Sequence, residues 1–306
     1  MPTAHDQLFK ELLRAFFPQF LELFTPDVLR LGRPASVVFI EPEVFRDLPG
    51  SERRRLDVVA RVRFAPQVPR QPQSATFLVH VEVQSRRKRD FDRRMFFYFS
   101  RLYERELTPI YPIALFTYDS GRKREPHMHQ VRLGRFQVVL RFAYRTIELR
   151  ELQASQYVRR FNPVALALAA KMKHGRDESP YLWFEALRRL ARMALDESRK
   201  RIVLSFLGTY LPLDRREKVR YNRLVEGLPM GEKRAVQELT NPWELDGVRT
   251  TLLLLVRRRF GPMPDEDRVL IESLDRPRLD ELAVAVVEVD SYAAWQARLK
   301  ELADRR

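Results

Sequence analysis

Asp57, Glu82 and Gln84 are the residues of this sequence whose types and spacing could do metal chemistry. In Leu56 to Phe64 (LDVVARVRF) the alternate positions Leu56, Val58, Ala60, Val62 and Phe64 are apolar, so Asp57, Arg61 and Arg63 fall on the opposite face of a strand. In Thr76 to Ser85 (TFLVHVEVQS) Phe77, Val79, Val81 and Val83 form the apolar side, and His80, Glu82 and Gln84 share the other. If the two strands pair antiparallel, matching their apolar faces forces an odd index sum. Asp57 then faces an even-numbered partner. A connection centred near Arg70 makes that partner Glu82 or Gln84, with Gln84 about 7 Å from Glu82 along the strand. Two carboxylates meeting from different strands suit Mg²⁺, or Mn²⁺ in its place. Such an ion takes one or two protein carboxylates, keeps several waters and can activate water against a phosphodiester. The same pattern also describes two half-exposed strands whose polar residues are simply solvated or paired with nearby arginines.

Several elements must position these residues. Apolar residues recur at three- and four-residue steps from His5 to Phe24 (Leu8, Phe9, Leu12, Leu13, Phe16, Phe17, Phe20, Leu21), which predicts one opening amphipathic helix. Ser36 to Glu41 reads as a short strand ahead of the two above. Pro66, Pro69 and Pro72 make Ala65 to Ala75 an irregular connection. Asp90 to Glu106 reads as a helix, and Tyr111 to Tyr118 and Phe136 to Phe142 as strands. Beyond about Glu151 helical periodicity takes over, as in Pro163 to Lys173 and Tyr181 to Leu195. Gly227, Pro229, Gly231, Asn241 and Pro242 suggest a linker over 227–242, with a last helical module from Trp243 onward.

Lys and Arg number 56 against 41 Asp and Glu, a net charge of +15, and the pI is near 10.3. A polyanion is the natural partner of such a field. Only nine of the 56 basic residues are Lys, so an arginine-rich composition of genomic or thermal origin is the competing explanation. With no cysteine there is no disulfide, thiolate metal site or cysteine nucleophile. The start, MPTAHDQLFKELL, lacks the basic opening and unbroken apolar core of an export signal. The apolar runs Val164 to Ala170 and Leu252 to Val256 fall far short of the ~20 residues that span a bilayer. A cytoplasmic protein without membrane contact is expected.

The segments HDQLFKELL (His5 to Leu13), RRLDVVARV (Arg54 to Val62) and HVEVQSRRKRDFDRRMFFYFSRLY (His80 to Tyr103) together resemble the recombination-promoting nuclease (transposase-like) family, which is similar to the PD-(D/E)XK nucleases. The resemblance covers about the first half of the chain. It implies an α/β fold: a restriction-endonuclease-like core of mixed sheet flanked by helices over residues 1–175, followed by an all-α region comprising a helical extension (176–230) and a C-terminal domain (243–306). It also implies a Mg²⁺-dependent endodeoxyribonuclease with little sequence specificity, acting in recombination or near mobile elements. By motif, Asp57 and Glu82 match the metal ligands, Gln84 stands where a Lys is usual, and Glu11 matches an acidic residue that some members carry on the first helix. No Pro precedes Asp57. The E-x-Q-S form, Glu82 to Ser85, resembles this family's own variant.

Arg86, Arg87 and Lys88, just after the motif, are candidate phosphate contacts. Arg94, Tyr98 and Arg101 recur at steps of four and three on the next helix, either as a wet stripe touching DNA or as a merely solvated face. The pair His127 and His129 (HMH), in an expected loop, reads more readily as surface histidine than as a metal site. From Trp243 onward the sequence is similar to a small helical domain of unknown function, which suggests protein–protein contact or self-assembly. Two other readings compete with a DNA endonuclease. One is a nuclease-derived binding module that recruits partners through its helical region. The other is an RNA nuclease with the same site chemistry.

Overall fold

A computed structural model describes residues 4–40, 58–65, 75–118, 121 and 124–304, with the backbone alone at 4, 241–244 and 246. The chain divides into two compact units, residues 1–227 and 228–306.

The first unit is α/β. Helices α1 (Ala4–Ala15) and α2 (Phe17–Phe24) replace the single opening helix that periodicity predicts. The break falls at Phe16, because Pro18 has no N–H to give the carbonyl of Arg14 and its ring crowds that turn. Three strands follow, β1 (Arg33–Phe39), β2 (Val58–Ala65) and β3 (Ala75–Gln84), then α3 (Phe91–Glu106) and β4 (Ile110–Phe116). Two further strands, β5 (Met128–Leu133) and β7 (Arg145–Glu148), have weak sequence signals, and β6 (Gln137–Ala143) matches the expected last strand. The main sheet has the order β1-β2-β3-β4-β7. Its β1–β2 and β2–β3 pairs are antiparallel, and its β3–β4 and β4–β7 pairs parallel, so the sheet is mixed. β6 does not join it; β5 and β6 form a separate antiparallel ribbon. At the entry to β1, Gly32 has φ +140°, and a Cβ there would lie 1.9 Å from the Ala65 carbonyl oxygen, so no other residue fits.

Helix α3 covers one face of the sheet: Tyr98 and Leu102 pack on Val59 and Leu78, and Phe91 and Met95 on Ala114 and Phe116. Helices α1 and α2 cover the other, with Phe17 edge-on to Phe39. The unit continues through α4 (Ala154–Tyr157), α5 (Pro163–Ala169), α6 (Ser179–Ala191), α7 (Glu197–Tyr210) and α8 (Arg215–Glu226). Asn162 caps α5 through Val164 N and Ala165 N, and its amide donates to the Gln19 carbonyl at 2.9 Å, fastening α5 to α2.

The second unit is helical: α9 (Met230–Phe260), α10 (Asp265–Ser273), α11 (Arg276–Glu288) and α12 (Tyr292–Asp304). The suggested linker is absent. Residues 230–260 form one helix that runs through Asn241 and Pro242. Its Leu252 to Val256 run is not buried as a block. Leu252 and Val256, four apart, enter a core with Leu279, Leu282, Trp295 and Leu299, while Leu254 and Leu255 are exposed. Buried Asp267 accepts hydrogen bonds from Tyr292 Oη (2.5 Å) and Gln296 Nε2 (2.9 Å). Among the described residues no helix is long and apolar enough to cross a membrane.

Candidate active site

Strands β2 and β3 pair in the register expected from matching their apolar faces. Val58 lies against Val81 and Val59 against His80, an odd index sum. Asp57, the residue before Val58 in the chain, lies outside the described residues.

The polar side of β3 is not half-exposed. His80, Glu82 and Gln84 are all buried, Glu82 to 5% of its free surface. The strand is central and α3 lies across that face, so both sides of β3 are covered. Buried polar groups here need partners, and several lack them. Glu82 Oε1 is 3.5 Å from an Arg94 guanidinium nitrogen, and Glu82 Oε2 is 3.6 Å from His80 Nε2. Both separations are long for hydrogen bonds. Among the described residues, Glu82 Oε2, both His80 ring nitrogens, and Arg94 Nε and Nη2 are buried with no hydrogen-bond partner. Gln84 donates from Nε2 to its neighbour's carbonyl, Val83 O, at 2.9 Å, and reaches Glu82 Oε1 only at 3.5 Å. The edge of Tyr98 stands against the His80 ring, with centroids 5.9 Å apart. Most buried polar atoms in folded proteins are paired, so this concentration of unmet hydrogen-bonding capacity marks the place as chemically unusual.

No family model, no curated protein and no solved structure matches this chain.

The described residues fit a divalent cation in part. Glu82 Oε2 has no hydrogen-bond partner among the described residues, and a hard cation takes such oxygens. Arg94, however, already neutralises that carboxylate, and no group of three His, Asp or Glu among the described residues could hold an ion. A second acidic ligand has to come from elsewhere, and Asp57 is the one the sequence nominates.

The other residues nominated by sequence scatter. Glu11 is exposed on α1 and accepts from Gln7 Nε2 at 3.0 Å. Helix α1 lies on the sheet face opposite Glu82: His5 meets Thr117, whose neighbour Phe116 packs against α3. Arg86 is exposed just past β3, Lys88 is half-buried, and Arg87 is held by buried Glu125 at 2.9 Å. The stripe Arg94, Tyr98 and Arg101 is corrected. Arg94 and Tyr98 point inward onto β3, because they share the helix face of Phe91, Met95 and Leu102, and only Arg101 is wet, 3.3 Å from Glu104. His129 lies in β5, not in a loop. It pairs with Asp92 at 2.8 Å and stacks on Phe96.

Sequence reasoning left His80 without a role, yet it is the most enclosed polar group of the cluster. The alternation that put it beside Glu82 on one strand face was its signal. It also missed a second cluster, on the far side of the sheet. Tyr210 Oη donates to His5 Nδ1 (2.6 Å), which leaves the proton on Nε2 to face Thr117 Oγ1 (3.3 Å); Thr117 in turn donates to the Gln84 carbonyl (3.1 Å). Burial first and Lys171 second lower the His5 pKa from its ordinary value, favouring this neutral form. Burial also pushes the Tyr210 hydroxyl up to about 12, so it stays a donor.

Proposed function

We propose that this chain is a metal-dependent endodeoxyribonuclease of the restriction-endonuclease-like PD-(D/E)XK type, with Asp57 and Glu82 as cation ligands. The observation that carries the reading is a buried glutamate on the central strand, one of whose oxygens has no hydrogen-bond partner among the described residues, next to Gln84 and on a strand antiparallel to β2. The element order of helices, three strands, helix and strand, the mixed sheet and the net charge of +15 support it.

In this reading Asp57 and Glu82 would hold Mg²⁺ or Mn²⁺, which would supply water activation and charge neutralisation for phosphodiester hydrolysis. Gln84, turned from Val83 O, orients the attacking water through its amide. Arg94, 3.5 Å from Glu82 Oε1, sets a positive charge beside that side chain. Arg86, exposed just past β3, and Arg101, exposed on α3, meet phosphates.

A second reading, a nuclease-derived DNA-binding module, is favoured by Arg94. A guanidinium 3.5 Å from the only described carboxylate of the cluster is itself a resident cation. In either reading the second unit, with Leu254 and Leu255 exposed on α9, serves assembly or partner binding.

Supercoiled-plasmid nicking by pure protein decides between them. Wild type is expected to nick with Mg²⁺ or Mn²⁺ and not in EDTA. Asp57→Asn and Glu82→Gln should each lower the rate about 10³-fold or more, with unchanged circular dichroism. Cleavage by Glu82→Gln at the wild-type rate ends the assignment, and inert wild type with intact DNA affinity leaves the binding module.

A further inference from the structure

We infer that the β5–β6 ribbon is a DNA-binding arm that lies in a groove of the duplex and sets Phe136, at its tip, against the base pairs. The inference rests on the nucleic-acid part of the reading above, and not on cleavage.

Among the described residues the ribbon is held at its foot. Phe142 packs on Phe99 (4.8 Å between centroids), and His129 is gripped by Asp92 and Phe96 of α3. From Val131 to Val139 every residue is exposed. Strands of six and seven residues make an arm about 20 Å long, of a width that a duplex groove accepts. Gly134, at φ +55°, turns the chain, and Phe136 beside it is 100% exposed.

Phe136 is the most exposed of several apolar side chains on the ribbon, with Leu133 60% and Val139 48% exposed, and the charges around it argue for a polyanion as what covers it. From Pro126 to Ile147 the sequence has no Asp or Glu and four arginines: Arg132, Arg135, Arg141 and Arg145. Arg145 is used internally, on the Phe24 carbonyl. Arg132, Arg135 and Arg141 are exposed and have no acidic partner among the described residues. The register puts Arg141 opposite Gln130, and Gln130 accepts from Arg132 at 3.3 Å, so two arginines and an amide share one face of the ribbon. An acid-free arm with its arginines unpaired by any described acid and an apolar wedge at the tip complements a phosphate-lined groove whose base steps can open to admit the ring.

The test measures binding of the full chain to a fluorescein-labelled duplex in EDTA, across a KCl series. Replacing Arg132, Arg135 and Arg141 together by Gln should weaken binding and flatten the log–log salt slope by ~2.7, three lost phosphate contacts at ~0.9 each. Phe136→Ala should weaken binding about tenfold at unchanged slope. It should also abolish the brightening of a 2-aminopurine placed in the duplex, which reports local unstacking. Should the triple variant fold poorly by circular dichroism, Arg135→Gln alone should flatten the slope by ~0.9.

Wild-type slope and affinity in the arginine variants overturn the inference. So does a loss of dimerisation with DNA affinity intact, which would make the ribbon a contact between two copies. Plasmid nicking by the same preparations separates the two proposals: no cleavage with arm-dependent binding removes the nuclease and keeps the arm, and cleavage with arm-independent binding does the reverse.

Discussion

At the C-terminal end of β3 the two sides of the sheet handle polar groups in opposite ways. On the α1 side, Tyr210, His5, Thr117 and the Gln84 carbonyl form an unbroken donor-to-acceptor chain. On the α3 side, His80, Glu82 and Arg94 sit deeper and, among the described residues, leave five atoms without a hydrogen bond. A completed network holds elements together, and here it joins α1 and α7 to the sheet end. An incomplete one keeps groups in reserve at a cost in stability. The difference separates a polar cluster completed within the fold from one left incomplete among the described residues, and the proposed function puts chemistry at the second.

Three changes break or sharpen that contrast, in falling order of effect. Arg94→Leu leaves Glu82 buried without its counter-charge and should destabilise the first unit by about 3–5 kcal/mol in urea unfolding. Adding Glu82→Leu to it should restore wild-type stability or exceed it, because two well-packed apolar residues replace a poorly bonded pair. A double variant no more stable than Arg94→Leu would show that the pair is structural.

Next is Gln84→Ala, which should cut single-turnover cleavage about 10²-fold, as removal of one oriented donor does, with little change in stability. Gln84→Lys should keep or raise the rate. An alanine variant as fast as wild type makes Gln84 a bystander.

The smallest effect belongs to the complete network. The folded-state pKa of His5 lies below its ordinary 6.5. As pH falls through 6.5 the unfolded chain takes up the proton first, so the stability His5 contributes is full above 6.5 and is lost toward the lower folded value. Thermal melts of wild type should fall by a few degrees between neutral and mildly acidic pH, and those of His5→Asn should fall less. Parallel curves would show that His5 does not sense pH.

Much of the first unit was legible because alternation and helical spacing are direct prints of burial. The β2–β3 register followed from face matching, and α3 from its apolar positions. What stayed hidden depends on contacts between distant segments. Whether the polar face of β3 is wet or covered is decided by where α3 lies, which alternation within β3 does not encode, so Glu82 read as half-exposed. Arg94 and Tyr98 look like surface residues by type. Only their shared face with Met95 and Leu102 turns them inward. The α1–α2 break was in principle readable from Pro18. Helix α9 ran against the local signal, since its Gly, Asn and Pro imitate a linker.

The docking of α1 also bears on how the chain is made. Phe9 and His5 of α1 pack on Phe206 and Tyr210 of α7, some two hundred residues later in the sequence. At synthesis rates of ~5–20 residues per second, α1 waits about 10–40 s for that partner. In that interval Phe9, Leu12, Leu13, Phe16, Phe17 and Phe20, all fully buried in the finished fold, lack part of their cover. Helix α1 is completed near the end of the first unit, so a nascent chain stalled before Tyr210 carries a greasy helix for chaperones to hold.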